Sequence, residues 1–152
     1  MNIQGKAFDE IDLNERFGAS LTVTETHIVM GAGLFGDFNP LHVNEQFSEN
    51  TRFGTRILHG PLTAALMTAP LGNYFAGTVI AYLEHNCRFI APVRAMDTLT
   101  TTWTIDEKID KPKHDGGIAT MSASCINQNS ELVAEANGKI LLLNRVAATL
   151  QF

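Results

Sequence analysis

The chain has 152 residues, enough for one domain, 1–152, whose folding takes roughly 68–70% of its unfolded surface out of water without metal or disulfide staples. Its formal charge of −5 and eleven scattered Lys and Arg argue against a nucleic-acid groove, which needs clustered cations. Hydrophobic residues at 45% leave apolar surface to spare for a homodimer or larger homo-oligomer.

Cys87 and Cys125 sit in alternating apolar runs without metal-type spacing. They are therefore read as small buried hydrophobes in a reducing cytoplasm. Met1 to Lys6 begins no signal peptide and no apolar run approaches the length of a membrane span, so no membrane partner is expected.

In chain order, the first eighteen residues lack a sustained period and read as a lead-in loop with a short strand around Lys6 to Phe8. From Ser20, the β-branched alternation of Leu21 to Thr24 predicts a strand. Thr24 or Thr26 then caps a helix from near His27 to about Phe35, with Ile28, Val29, Ala32 and Phe35 on one stripe. Gly31 and Gly33 weaken that helix but permit close packing.

Next comes Gly36-Asp37-Phe38-Asn39-Pro40-Leu41-His42. Pro40 prevents continuous helix before it, so a carboxylate and an imidazole share one rigid loop. Asn39 is expected to brace that loop through side-chain to backbone bonds. Asn44 to Asn50 reads as a helical turn and Thr51 to Arg56 as a loop.

Gly60 then precedes the longest apolar segment, a helix from Leu62 to Phe75 started by Pro61 and expected to be buried on most faces. A backbone N–H at that start has no helical partner and can face an oxyanion. Pro70 predicts a kink or an end. Thereafter the period changes to two over Thr78 to Phe89, Thr98 to Ile109, Ile118 to Asn127 and Leu132 to Leu143. A buried helix followed by four consecutive strands gives an α+β layer with an antiparallel sheet.

The paired motifs GDFNPLH and TRFGTRILHG resemble the signature of MaoC-like dehydratases and (R)-specific enoyl-CoA hydratases, with a likeness running from about Leu21 to Leu143. The resemblance implies a hot-dog fold, an antiparallel sheet wrapped around a central helix, whose subunits often pair. It also implies hydration of 2-enoyl-CoA to (R)-3-hydroxyacyl-CoA, with Asp37 and His42 holding one water and the Gly60 N–H receiving the thioester oxygen. His42 is assigned to activating the water and Asp37 to orienting it and passing the proton; as a coupled unit, the reverse division also fits.

Thr68 matches a hydroxyl that the family uses near the thioester and pantetheine. With Asn39 and His59 it completes the substrate-facing candidates, His59 either closing the pocket or supporting the helix start. No cofactor is implied beyond the coenzyme A carried by the substrate, and His27, His85 and His114 lack metal-binding spacing. Arg52, Arg56, Arg88, Arg94, Lys111 and Lys113 are the cations available to the cofactor's phosphates.

Two other readings compete. A hot-dog thioesterase would need a carboxylate acting at the carbonyl; a non-catalytic acyl-CoA-binding subunit would have no use for both Asp37 and His42. Nucleotide-dependent chemistry is disfavoured, because Gly31-Ala32-Gly33 does not join a strand to a helix as phosphate loops do.

Overall fold

The computed structural model describes residues 5–150. Five antiparallel strands form one sheet in the order β1-β3-β4-β5-β2, with β1 over Arg16–Thr22, β2 over Val79–Phe89, β3 over Thr98–Lys111, β4 over Gly116–Ile126 and β5 over Leu132–Leu143. One long helix, α4 over Gly60–Tyr74, packs against the sheet. This is the hot-dog arrangement of the α+β class. Three helices precede α4, namely α1 over Glu25–Phe35, α2 over Pro40–Val43 and α3 over Glu45–Glu49, and α5 over Arg145–Leu150 follows β5.

The four period-two segments become β2 to β5 within a few residues of their expected ends, because successive side chains on a strand point to opposite faces, which on β4 and the first half of β3 separates buried from part-exposed positions. On β3, Leu99, Thr101, Trp103 and Ile105 point inward and are buried. Trp103 joins sheet to helix by donating its indole N–H to Met67 O on α4 at 2.7 Å. Met67, Leu71 and Phe75 meet Met121, Ile140 and Leu142 in the same core. The Phe17 ring stacks on Tyr74 at 3.9 Å and closes the far end of α4 against β1.

Several expectations are corrected. No strand forms around Lys6 to Phe8: Phe8–Glu10 is a 3-10 turn, held by the Ala7 N–H donating to the Glu10 carboxylate. The lead-in is not all loop, because β1 starts at Arg16 and ends at Thr22 rather than running from Leu21 to Thr24. An edge strand in which only Phe17 is buried carries no alternating signal. Gly18 instead serves close pairing, since a Cβ there would lie 2.0 Å from Thr101 O.

Helix α1 starts two residues before the expected His27, after Thr24. Pro70 does not end α4, which continues to Tyr74 with the proline ring buried. Nor is α4 buried on most faces: Thr63, Met67, Pro70 and Leu71 face the core, while Ala65, Ala69 and Gly72 are exposed. Helix α5 was not expected from its sequence. The free thiols fit the structural reading, with Cys125 buried and Cys87 half-buried, both pushed above the ordinary thiol range by burial. Among the described residues, no helix is long and apolar enough to cross a membrane.

Candidate active site

The site is built where α1 ends, α2 begins and α4 begins. Gly36 caps α1 at φ 70, a left-handed turn that costs glycine little and carries the chain off the helix axis. Asp37 follows, half-exposed, with its Oδ1 accepting the Asn39 N–H at 3.1 Å. Asn39 Oδ1 in turn accepts the Leu41 N–H at 3.0 Å and starts α2, with Pro40 in its first turn. Asn39 therefore braces the loop in the structure, as its place beside Pro40 predicts.

His42 lies on α2, its side chain only 11% exposed. Its Nδ1 is 2.8 Å from Ile57 O, and because a carbonyl only accepts, Nδ1 carries the proton and Nε2 the lone pair. The segment is clamped from both sides. Ile57 N–H donates to Leu41 O at 3.1 Å, and the buried Ser48 hydroxyl reaches Pro40 O and Leu41 O at 3.2 and 3.3 Å.

His42 Nε2 stands 3.7 Å from Asp37 Oδ2. That is too long for a good direct hydrogen bond and suits two groups holding one small molecule jointly. His59, 1% exposed, immediately precedes α4. Its ring stacks on His42 with centroids 3.8 Å apart and planes 26° from parallel, and its Nε2 lies 3.0 Å from Asp37 O.

The start of α4 offers one free donor. Leu62 N–H and Thr63 N–H both turn to His59 O and Pro61 has no N–H, which leaves the Gly60 N–H without an intrahelical acceptor. The Phe89 ring closes over Gly60, so closely that a Cβ there would come within 3.2 Å of it.

Asp37, His42, Gly60 and His59 thus converge, with Asn39 behind them. Thr68 lies eight residues further along α4, about 12 Å by helical rise, and its hydroxyl donates to Ala65 O at 2.7 Å. Ligand atoms of Asp37, His42 and His59 fall within 4.8 Å of one another. His59 Nε2 spends its proton on Asp37 O, however, so only His42 Nε2 and the carboxylate present lone pairs to the shared space. Of the candidate phosphate-binding cations, Arg56 is paired with Glu25 and Glu45 and Arg88 with Glu135; Arg94 donates to Phe53 O.

Sequence reasoning missed Ile57, whose contribution is a carbonyl that any residue possesses, and Ser48, which carries no motif. His85 also has an unforeseen partner: its Nδ1 lies 2.6 Å from the Tyr82 hydroxyl.

Comparison with known proteins agrees with this architecture. The family described as MaoC like domain matches residues 9–125. An (R)-specific enoyl-CoA hydratase of Rhodospirillum rubrum is 41% identical over 104 residues, covering 67% of this chain and 72% of the relative. Another of the same name from Aeromonas caviae is 30% identical over 130 residues, covering 86% and 90%. The solved structure of an unliganded (R)-hydratase from Pseudomonas aeruginosa superposes with a TM-score of 0.81 at 26% identity, covering 91% of this chain and 86% of that one. With the motif, the sheet order and these likenesses in agreement, the chain belongs to the MaoC-like domain family.

Proposed function

We propose that the chain is an (R)-specific enoyl-CoA hydratase, reversible as a 3-hydroxyacyl-CoA dehydratase, with Asp37 and His42 as its acid–base pair and the Gly60 N–H as its oxyanion donor. The single observation that carries the reading is the 3.7 Å gap between His42 Nε2 and Asp37 Oδ2, with the lone pair of a tautomer pinned by Ile57 O turned into that gap. A water held there donates one O–H to each group.

As its oxygen bonds to Cβ of the enoyl group, the water gives a proton to His42 Nε2. Charge moves to the thioester oxygen, where the Gly60 N–H receives it. Asp37 orients the water; the proton taken up by His42 crosses to Asp37 Oδ2 and from there to Cα, which restores neutral imidazole and carboxylate, so H and OH add to the same face and no atom is left over. The pair works as a coupled unit. Coenzyme A arrives and leaves with the substrate, and no further cofactor enters the scheme.

The unpaired edge of β2 supports a homodimer. Val79, Ile80, Tyr82, Leu83 and Phe89 are 39–50% exposed along it, whereas the opposite edge, β1, carries Arg16, Gly18, Ser20 and Thr22. A long apolar edge calls for a covering strand, and a second copy supplies one.

The test follows enoyl absorbance of crotonyl-CoA with wild type, Asp37→Asn and His42→Ala, and then the stereochemistry of the product. Turnover by wild type alone with an (R) product is the expected outcome. Release of free thiol without loss of enoyl absorbance would replace the reading by a thioesterase, and binding without turnover across short, branched and long enoyl-CoAs by an acyl-CoA-binding subunit.

A further inference from the structure

We infer that His59 is a positioning residue, which registers base, acid and oxyanion donor against one another without itself meeting the substrate. At 1% exposure its ring has no free face to offer. One face lies on His42 at 3.8 Å, and the Nδ1 edge lies against Gly31, where a Cβ would approach to 2.8 Å. The remaining nitrogen, Nε2, is 3.0 Å from Asp37 O.

That carbonyl only accepts, so the proton sits on Nε2 and the Nδ1 lone pair is left buried without a partner. Flipping the ring would surrender the bond to Asp37. His59 is thus held in one orientation and one tautomer. Its backbone is bonded to Gly60, its ring limits the tilt of His42, and its N–H holds the peptide of Asp37. The three groups required in one transition state come from three segments, and His59 is the side chain that touches two of them while being covalently joined to the third. Preorganisation of this kind acts on the chemical step, because displacement of a reacting group by about 1 Å costs on the order of 100-fold in rate.

The kinetic part of this inference rests on the hydratase reading; the structural part does not. His59→Phe keeps a ring on His42 and removes the bond to Asp37, while His59→Gln keeps a donor and removes the stack. For each, kcat and KM with crotonyl-CoA would be measured beside the long-range 15N–1H spectrum of the His42 ring. The inference expects kcat to fall by about 10- to 100-fold with KM little changed in both variants, and in His59→Gln, where the stack no longer limits the tilt of His42, the His42 signals to move from the Nδ1-protonated pattern toward a mixture of tautomers. A raised KM at unchanged kcat would overturn it in favour of a substrate contact, and unchanged His42 signals in His59→Gln would overturn it outright. If wild type proves inactive on every enoyl-CoA, the hydratase reading fails and the His42 spectra alone decide the positioning role. Should one variant fail to fold, the other still carries the split of kcat from KM.

Discussion

Gly31 on α1 faces the His59 ring so closely that a Cβ at Gly31 would stand 2.8 Å from His59 Nδ1 and 3.1 Å from a methyl of Leu62. Gly33, two residues on in the same helix, has nothing within 4 Å of its would-be Cβ. Both positions would gain about 0.5–1 kcal/mol of helix stability from alanine, and only one has room for it. Gly33→Ala should raise the melting temperature and leave turnover alone. Gly31→Ala should push His59 off its seat and lower kcat on the order of tenfold. Equal kinetics for the two variants would show that the ring is not held from this side.

Trp103 links the sheet to the helix that carries the oxyanion donor, through its N–H on Met67 O at 2.7 Å. Trp103→Phe preserves much of the ring and removes the donor. Loss of the bond in a buried setting should cost about 1–3 kcal/mol, or about 2–4 °C in melting temperature per kcal/mol at this chain size. A thermal melt within a degree of wild type would mean that another donor takes its place.

Asn39→Ala removes the acceptor for the Leu41 N–H and with it the start of α2. The cap is worth about 1 kcal/mol, but the larger effect should appear in catalysis, because the turn that the cap holds places the residue-39 backbone N–H, which alanine keeps, against Asp37 Oδ1. A fall in kcat of on the order of tenfold, alongside a melting temperature lowered by only a few degrees, is expected from enoyl-CoA kinetics and calorimetry. Wild-type kcat in a folded variant would count against the bracing role.

The ends of the described chain are tied together by Arg145, whose Nε donates to Glu10 Oε1 at 2.8 Å while an Nη2 reaches Glu10 Oε2. The guanidinium and the Ala7 N–H hold the Glu10 carboxyl at about 2, below its ordinary 4.5. Because the folded value is the lower one, this stabilisation is fully present above pH 4.5 and is lost as pH falls through about 2. The pair is partly exposed and screened, so its contribution is about 0.2–1 kcal/mol. Melts of wild type and Glu10→Gln should differ at pH 7 and converge as the pH approaches 2. A difference that grows on acidification would reverse the sign of the argument.

Leu83, 49% exposed on β2, tests the subunit contact. Leu83→Lys should shift the sedimentation profile from dimer toward monomer without unfolding the chain, since the side chain is not part of the core. A wild type that already sediments as a monomer at micromolar concentration would remove the homodimer from the proposed function.

The legible parts of this protein were those encoded by neighbours in sequence. Period-two alternation from Thr78 onward located four strands because each side chain's face depends only on its parity along the strand. Asn39-Pro40 marked the break between α1 and α2, and Thr24 the start of α1, because capping and proline sterics act over a few residues. Most of strand β1 escaped notice because an exposed edge has no inner face to alternate.

By itself, the sequence determined the α+β class and the strand segments, which follow from spacing along the chain, while its resemblance to MaoC-like dehydratases singled out the hot-dog arrangement and the acid–base candidates. Only the tertiary structure decided that His42 presents Nε2 rather than Nδ1 and that His59 is enclosed between His42 and Gly31. Those outcomes depend on carbonyl acceptors and on vacant space. Every residue carries the same carbonyl, and a space has no letter in the sequence, so folding had to bring Ile57, Asp37 and Gly31 to their partners before either could act.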